Sequence, residues 1–268
     1  ADDGTWKAGR EILQNLIQEA DAENALKAAE ALLKAFPQDA RVYAVHNDLR
    51  YACDNFLLGR GDDRYLPALR VMLTAQCTSF GHIGHVFRNS ESLVPVEERV
   101  QMLFKMQDNI QAPMQWDPLH RFAIVRELDS DQKKLEAGRK YLSYEKLFRD
   151  SPNRDDYANY LRLIIESPQI FRIQDKALVD AKGMLARADV LMEKFADADP
   201  AAVDHWVRHM LAYYFPKEGP ERMQFLTKYL PQLWQGPLET LMRETEGKQL
   251  KEQLAAWQKG KSFPQVRD

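Results

Sequence analysis

The chain has 268 residues, enough for a substantial core as two domains or one elongated array, and its 45% hydrophobic and 29% charged residues exclude general disorder. With 37 basic against 40 acidic residues and no long run of one sign, the net charge of -3 argues against nucleic acid or an anionic membrane surface as the main partner. No apolar stretch approaches the roughly 20 residues that span a bilayer, so membrane insertion is not expected.

The chain opens on Ala1 and not Met, and ADDGTW suits a mature end left by cleavage at a small-residue site. That favours a periplasmic or secreted location over a cytoplasmic one. Thr5 to Ala20 reads as a first helix capped by Thr5, with Trp6, Ile12, Leu13, Leu16 and Ile17 inward. Asp21 caps a second, whose stripe is Ala25, Ala29, Leu32, Leu33 and Phe36. After Pro37, with Asp39 as cap, Val42, Val45, Leu49, Ala52 and Phe56 form the inner face of a third.

Small residues four apart at Ala25 and Ala29, a turn proline at Pro37 and an aromatic at Tyr43 in the next helix resemble the tetratricopeptide repeat family over about Ala22 to Gly59. The resemblance implies stacked helical hairpins and a tendency to bind protein partners. Asn47 stands where the family has glycine in the first helix, and beyond Gly59 the 34-residue period is lost.

GRGDDR, Gly59 to Arg64, is a turn by composition, and a fourth helix follows from about Tyr65. Two irregular pieces come next, Phe80 to Ser92 and Ala112 to Arg121, separated by a helix over Val96 to Ile110. In the second half the periodicity predicts helices over about Asp131 to Arg149, Asp155 to Glu166, Lys176 to Phe195 and Ala201 to Phe215. Ser151 and Pro152 would cap the second of these, and Asp199 with Pro200 the last. The stripe of that last helix is clean, with Val203, Trp206, Val207, Met210, Leu211 and Tyr214 on one side. Gly219-Pro220 and Gly236-Pro237 open two more helices, the final one a charged cap over about Leu238 to Lys259. No strand-like alternation stands out.

The residue types that bear chemistry are sparse. Cys77, His82 and His85 lie in a glycine-containing loop, CTSFGHIGH, and thiolate with imidazole is the usual zinc donor set. A Cys53–Cys77 disulfide is the competing reading, and it requires Cα atoms within about 7 Å. His205 and His209 form an i, i+4 pair, but Trp206 stands where a zinc protease has glutamate, and the pair reads as solvated. Asp62-Asp63 and Asp155-Asp156 sit at a turn and a helix start without the spacing of a magnesium-binding aspartate motif. GxSxG, Walker A and GxGxxG sequences are absent, so nothing supports catalysis and no cofactor motif is present other than the zinc candidate.

The sequence therefore predicts an all-α chain, a right-handed α-solenoid of stacked antiparallel hairpins with irregular loops in the middle. Its parts are N-terminal hairpins over 1–79, a middle segment over 80–121, C-terminal hairpins and cap over 122–260, and a loose tail over 261–268. The expected task is a non-catalytic protein–protein interaction scaffold, with Asn47, Asp48 and Tyr51 opposite Val42 and Leu49 and Trp116 between two prolines as partner-binding candidates. The alternatives are a helical accessory domain of a larger enzyme or secretion or polysaccharide complex, contacting a glycan through Trp116, and a metal-binding or redox protein centred on Cys77, His82 and His85.

Overall fold

The computed structural model describes residues 2–74, 91–110, 112–113, 122–173, 175–197, 200–216 and 219–233. Within them the chain is all-α apart from one very short hairpin. It divides into two compact units, Ala1–Leu128 and Asp129–Asp268.

The first unit starts with α1 (Asp3–Gln18), one turn earlier than the sequence suggests, because Asp2 and not Thr5 is the cap and accepts from the Thr5 N–H at 2.7 Å. Leu13 and Ile17 face the core with Gly9 in line one turn before them. A Cβ at Gly9 would stand 2.8 Å from Leu32 Cδ2, so the missing side chain lets α2 come close. Ile12, expected inward, is rotated off this line and 56% exposed. Ala20 closes the helix in the left-handed region at φ 58°. Asp21 then caps α2 (Ala22–Ala35) as expected, through the Asn24 N–H.

Buried Ala25 and Ala29 keep the inner face of α2 narrow, and Phe36 ends it against Trp6, ring centroids 5.3 Å apart. The Arg41 guanidinium covers both rings. α3 (Asp39–Ala52) buries Val42, Val45, Leu49 and Ala52 and continues as one wider π-helical turn, Cys53–Leu58. A 3₁₀ turn, Asp63–Tyr65, leads into α4 (Leu66–Thr74). α5 (Val96–Asn109) and a 3₁₀ turn over Ala123–Glu127 complete the described part of this unit. α1 packs on α2 and α3, α2 on α3 and α4, and α4 on α5.

The second unit begins with α6 (Asp131–Leu142), capped by Ser130 through the Lys133 N–H. The single helix predicted over Asp131 to Arg149 is two: Ser143 turns its hydroxyl onto the Lys140 carbonyl at 2.6 Å, and α7 (Glu145–Arg149) follows after a two-residue turn. Tyr141 and Phe148 both reach Tyr160 of α8 (Arg154–Glu166), with ring centroids 4.8 and 5.1 Å away. Asn153 caps α8, while Ser151, the expected cap, donates instead to the Asp156 carboxylate.

α9 (Pro168–Phe171) runs into an antiparallel pair, β1 (Arg172–Ile173) and β2 (Lys176–Ala177), with Arg172 opposite Ala177 and Ile173 opposite Lys176. The helix expected from Lys176 therefore starts later, as α10 (Ala181–Lys194), where Asp180 accepts from the Gly183 N–H at 2.6 Å. α11 (Pro200–Tyr213) and α12 (Pro220–Leu233) follow. Every residue of the predicted α11 stripe is buried. Asp199, its expected cap, and the expected helix over Leu238 to Lys259 lie outside the described residues. α8 packs on α10 and α11, and α12 on both of those. Arg222 of α12 is buried and donates to the Leu211 and Phe215 carbonyls, closing the end of α11.

Candidate functional site: the outer line of α3

The inner face of α3 is used up by Val42, Val45, Leu49 and Ala52, and His46 is buried beside them. A helix places positions four apart nearly above one another, so the remaining side carries Tyr43, Asn47 and Tyr51 in one line. Tyr43 is 48% and Tyr51 58% exposed, unusual for rings of this size. Asn47, half-buried between them, accepts from Arg50 Nη2 at 3.2 Å. Arg50 also lies 3.5 Å from the Asp54 carboxylate, and Asn55 donates to the Tyr51 carbonyl at 2.8 Å. The line is thus braced along its own helix.

Asp48 is drawn away from that line. Only 8% exposed, it accepts from Arg10 Nε at 2.8 Å, Arg10 Nη2 at 3.1 Å and Gln14 Nε2 at 3.2 Å, all from α1. The hydrogen bond to Asp48 raises the Arg10 pKa above its ordinary value, ahead of the opposing effect of burial. Of the three α3 candidates, Asn47 and Tyr51 share a surface and Asp48 ties α3 to α1. Tyr43 completes the surface. Its spacing of four from Asn47 and eight from Tyr51 is a signal visible in the sequence, hidden by reading Tyr43 only as a repeat residue.

Trp116 and the zinc candidates Cys77, His82 and His85 lie outside the described residues. Cys53 is a buried free thiol at 3.8 Å from the Tyr65 carbonyl, and burial, helped by the nearby Asp54, pushes its pKa up to about 12. Such a thiol is protonated at neutral pH and behaves as a small apolar side chain. Among the described residues no three His, Cys, Asp or Glu side chains are grouped to hold a metal ion.

The histidine pair of α11 has a neighbour that its own helix does not supply. Glu166, at the end of α8, lies 2.5 Å from His205 Nε2. Burial raises the Glu166 pKa, but hydrogen bonds from His205 and Arg162 outweigh it and the net shift is downward. The residue is 39 positions away in the chain, which is why a search along α11 alone misses it.

Among the described residues no helix is long and apolar enough to cross a membrane. No protein-family model, curated protein or solved structure matches the chain.

Proposed function

We propose that the chain is a non-catalytic scaffold of stacked helical hairpins, right-handed α-solenoid in style, that docks an extended segment of a protein partner along α3. The observation that carries the reading is the line Tyr43, Asn47, Tyr51, both rings exposed, on a helix that buries Val42, Val45, Leu49 and Ala52 on its inner face. Tyrosine offers a large, rigid contact with a polar tip, and the asparagine amide both donates and accepts, as a peptide backbone requires. At about 1.5 Å per residue the two rings stand about 12 Å apart along the axis, the length of three or four extended residues.

The packing order supports the stacked arrangement. In the first unit α1 touches α3 and α2 touches α4, each the next helix but one. In the second unit the four long helices after α7 behave alike, α8 meeting α11 and α10 meeting α12. Alternate contacts of this kind arise when hairpins stack face to face.

The test is site-directed photocrosslinking from position 51 to identify the partner, followed by affinity measurements with Tyr43→Ala, Asn47→Ala and Tyr51→Ala, singly and together. Each tyrosine change is expected to weaken binding about 30-fold, the loss of a contact worth about 2 kcal/mol. The helical circular dichroism and melting temperature should not move. A partner that binds the triple variant as tightly as the unaltered chain would remove the reading.

A further inference from the structure

His205 and His209 lie one turn apart on α11, on the side away from buried Trp206, Val207 and Met210, with ring centroids 4.5 Å apart. Among the described residues, the hydrogen-bond partner of each ring is an acceptor. Glu166 Oε1 stands 2.5 Å from His205 Nε2, and the main-chain oxygen of His205 stands 3.1 Å from His209 Nδ1. An ionised carboxylate and a peptide carbonyl have no hydrogen to give, so His205 carries its proton on Nε2 and His209 on Nδ1. In the neutral rings the lone pairs are then on His205 Nδ1 and His209 Nε2.

A metal-ligating imidazole ordinarily has its second nitrogen tied to a carboxylate or a backbone carbonyl, which fixes the tautomer and raises the basicity of the ligating atom. Here one histidine has the first kind of tie and its neighbour the second. We propose that His205 and His209 form an open, two-imidazole site for a divalent transition metal of the Cu²⁺, Ni²⁺ or Zn²⁺ class, with Glu166 positioning His205. Imidazole suits these ions, whereas Mg²⁺ and Ca²⁺ prefer all-oxygen sites. Since no three ligating groups among the described residues converge, water or an incoming ligand completes the coordination, and the metal does not hold the fold together. Arg162, 3.3 Å from Glu166 Oε1, competes for that carboxylate and keeps the site moderate in affinity. The inference is independent of the scaffold reading, which concerns α3.

The experiment uses the full chain. Without metal, side-chain ¹⁵N spectra are expected to show His205 as the Nε2–H and His209 as the Nδ1–H tautomer; the opposite form of either ring overturns the assignment. Calorimetric titration with Ni²⁺ then compares the unaltered chain with His205→Ala, His209→Ala and Glu166→Gln. The glutamine change should weaken binding about 10-fold and each histidine change at least as much, on the scale known for outer-shell partners. The other four histidines of the chain remain in every variant. Binding of equal strength in all of them belongs to those residues and overturns the site, as does the absence of binding.

Discussion

Asp48 illustrates how one side chain can be read two ways. On a helical wheel it falls away from Val42 and Leu49, which suggests solvent, yet α1 covers it with Arg10 and Gln14. The two ends of this bridge are unequally sheltered: the Arg10 side chain is 34% exposed and that of Asp48 10%. Removing Arg10 leaves a sheltered carboxylate with only an amide for company, whereas removing Asp48 leaves a guanidinium that water can reach. Arg10→Ala should therefore cost about 2–3 kcal/mol and Asp48→Ala about 1 kcal/mol, although the second change also loses the Gln14 hydrogen bond. Urea denaturation of both variants checks the order; equal losses would mean that the sheltering of Asp48 does not matter.

At the scale of elements, the apolar stripe of α11 is legible residue by residue, because a period of 3.6 over three turns has few other solutions. The break after Leu142 is not, since no glycine or proline marks it and the Ser143 hydroxyl makes the turn. The pair β1 and β2 escapes for a different reason: two residues per strand are too few to show alternation. What periodicity omits altogether is which neighbour covers a face. Glu166 against His205 and Arg10 against Asp48 are each nearly forty residues apart, so half of each candidate site was silent in the sequence.

Close approach is a property of elements too. A Cβ on Gly138 of α6 would stand 2.7 Å from Leu178 Cδ1 and 3.1 Å from Ile170 Cγ2. Alanine there gains about 1 kcal/mol of helix propensity but overpacks at a cost of about 1–3 kcal/mol. Ile170 is fully buried and has nowhere to retreat, so overpacking should prevail and Gly138→Ala should lose about 1 kcal/mol net. Adding Leu178→Ala frees the nearer contact. The double variant should then be more stable than the sum of its single changes predicts, and simple additivity in thermal melts would refute the steric account.

For the whole molecule, the division at Leu128 is the main consequence of the packing. Each unit buries its own aromatic cluster, Phe56 on Tyr65 in the first and Tyr141, Phe148 and Tyr157 around Tyr160 in the second. Fragments 1–128 and 129–268 made separately should each give a helical far-ultraviolet spectrum and a cooperative melt. A fragment that melts without cooperativity would show that its core is incomplete alone.

The closure of α11 by Arg222 also has a meaning in time. A chain leaving the ribosome exposes Pro200–Tyr213 first, and its terminal carbonyls must rely on solvent until Arg222 has emerged and α12 has docked. The last turn of α11 is therefore finished by a residue synthesised after it. A stalled nascent chain released before that point would be left open at this end as well as short.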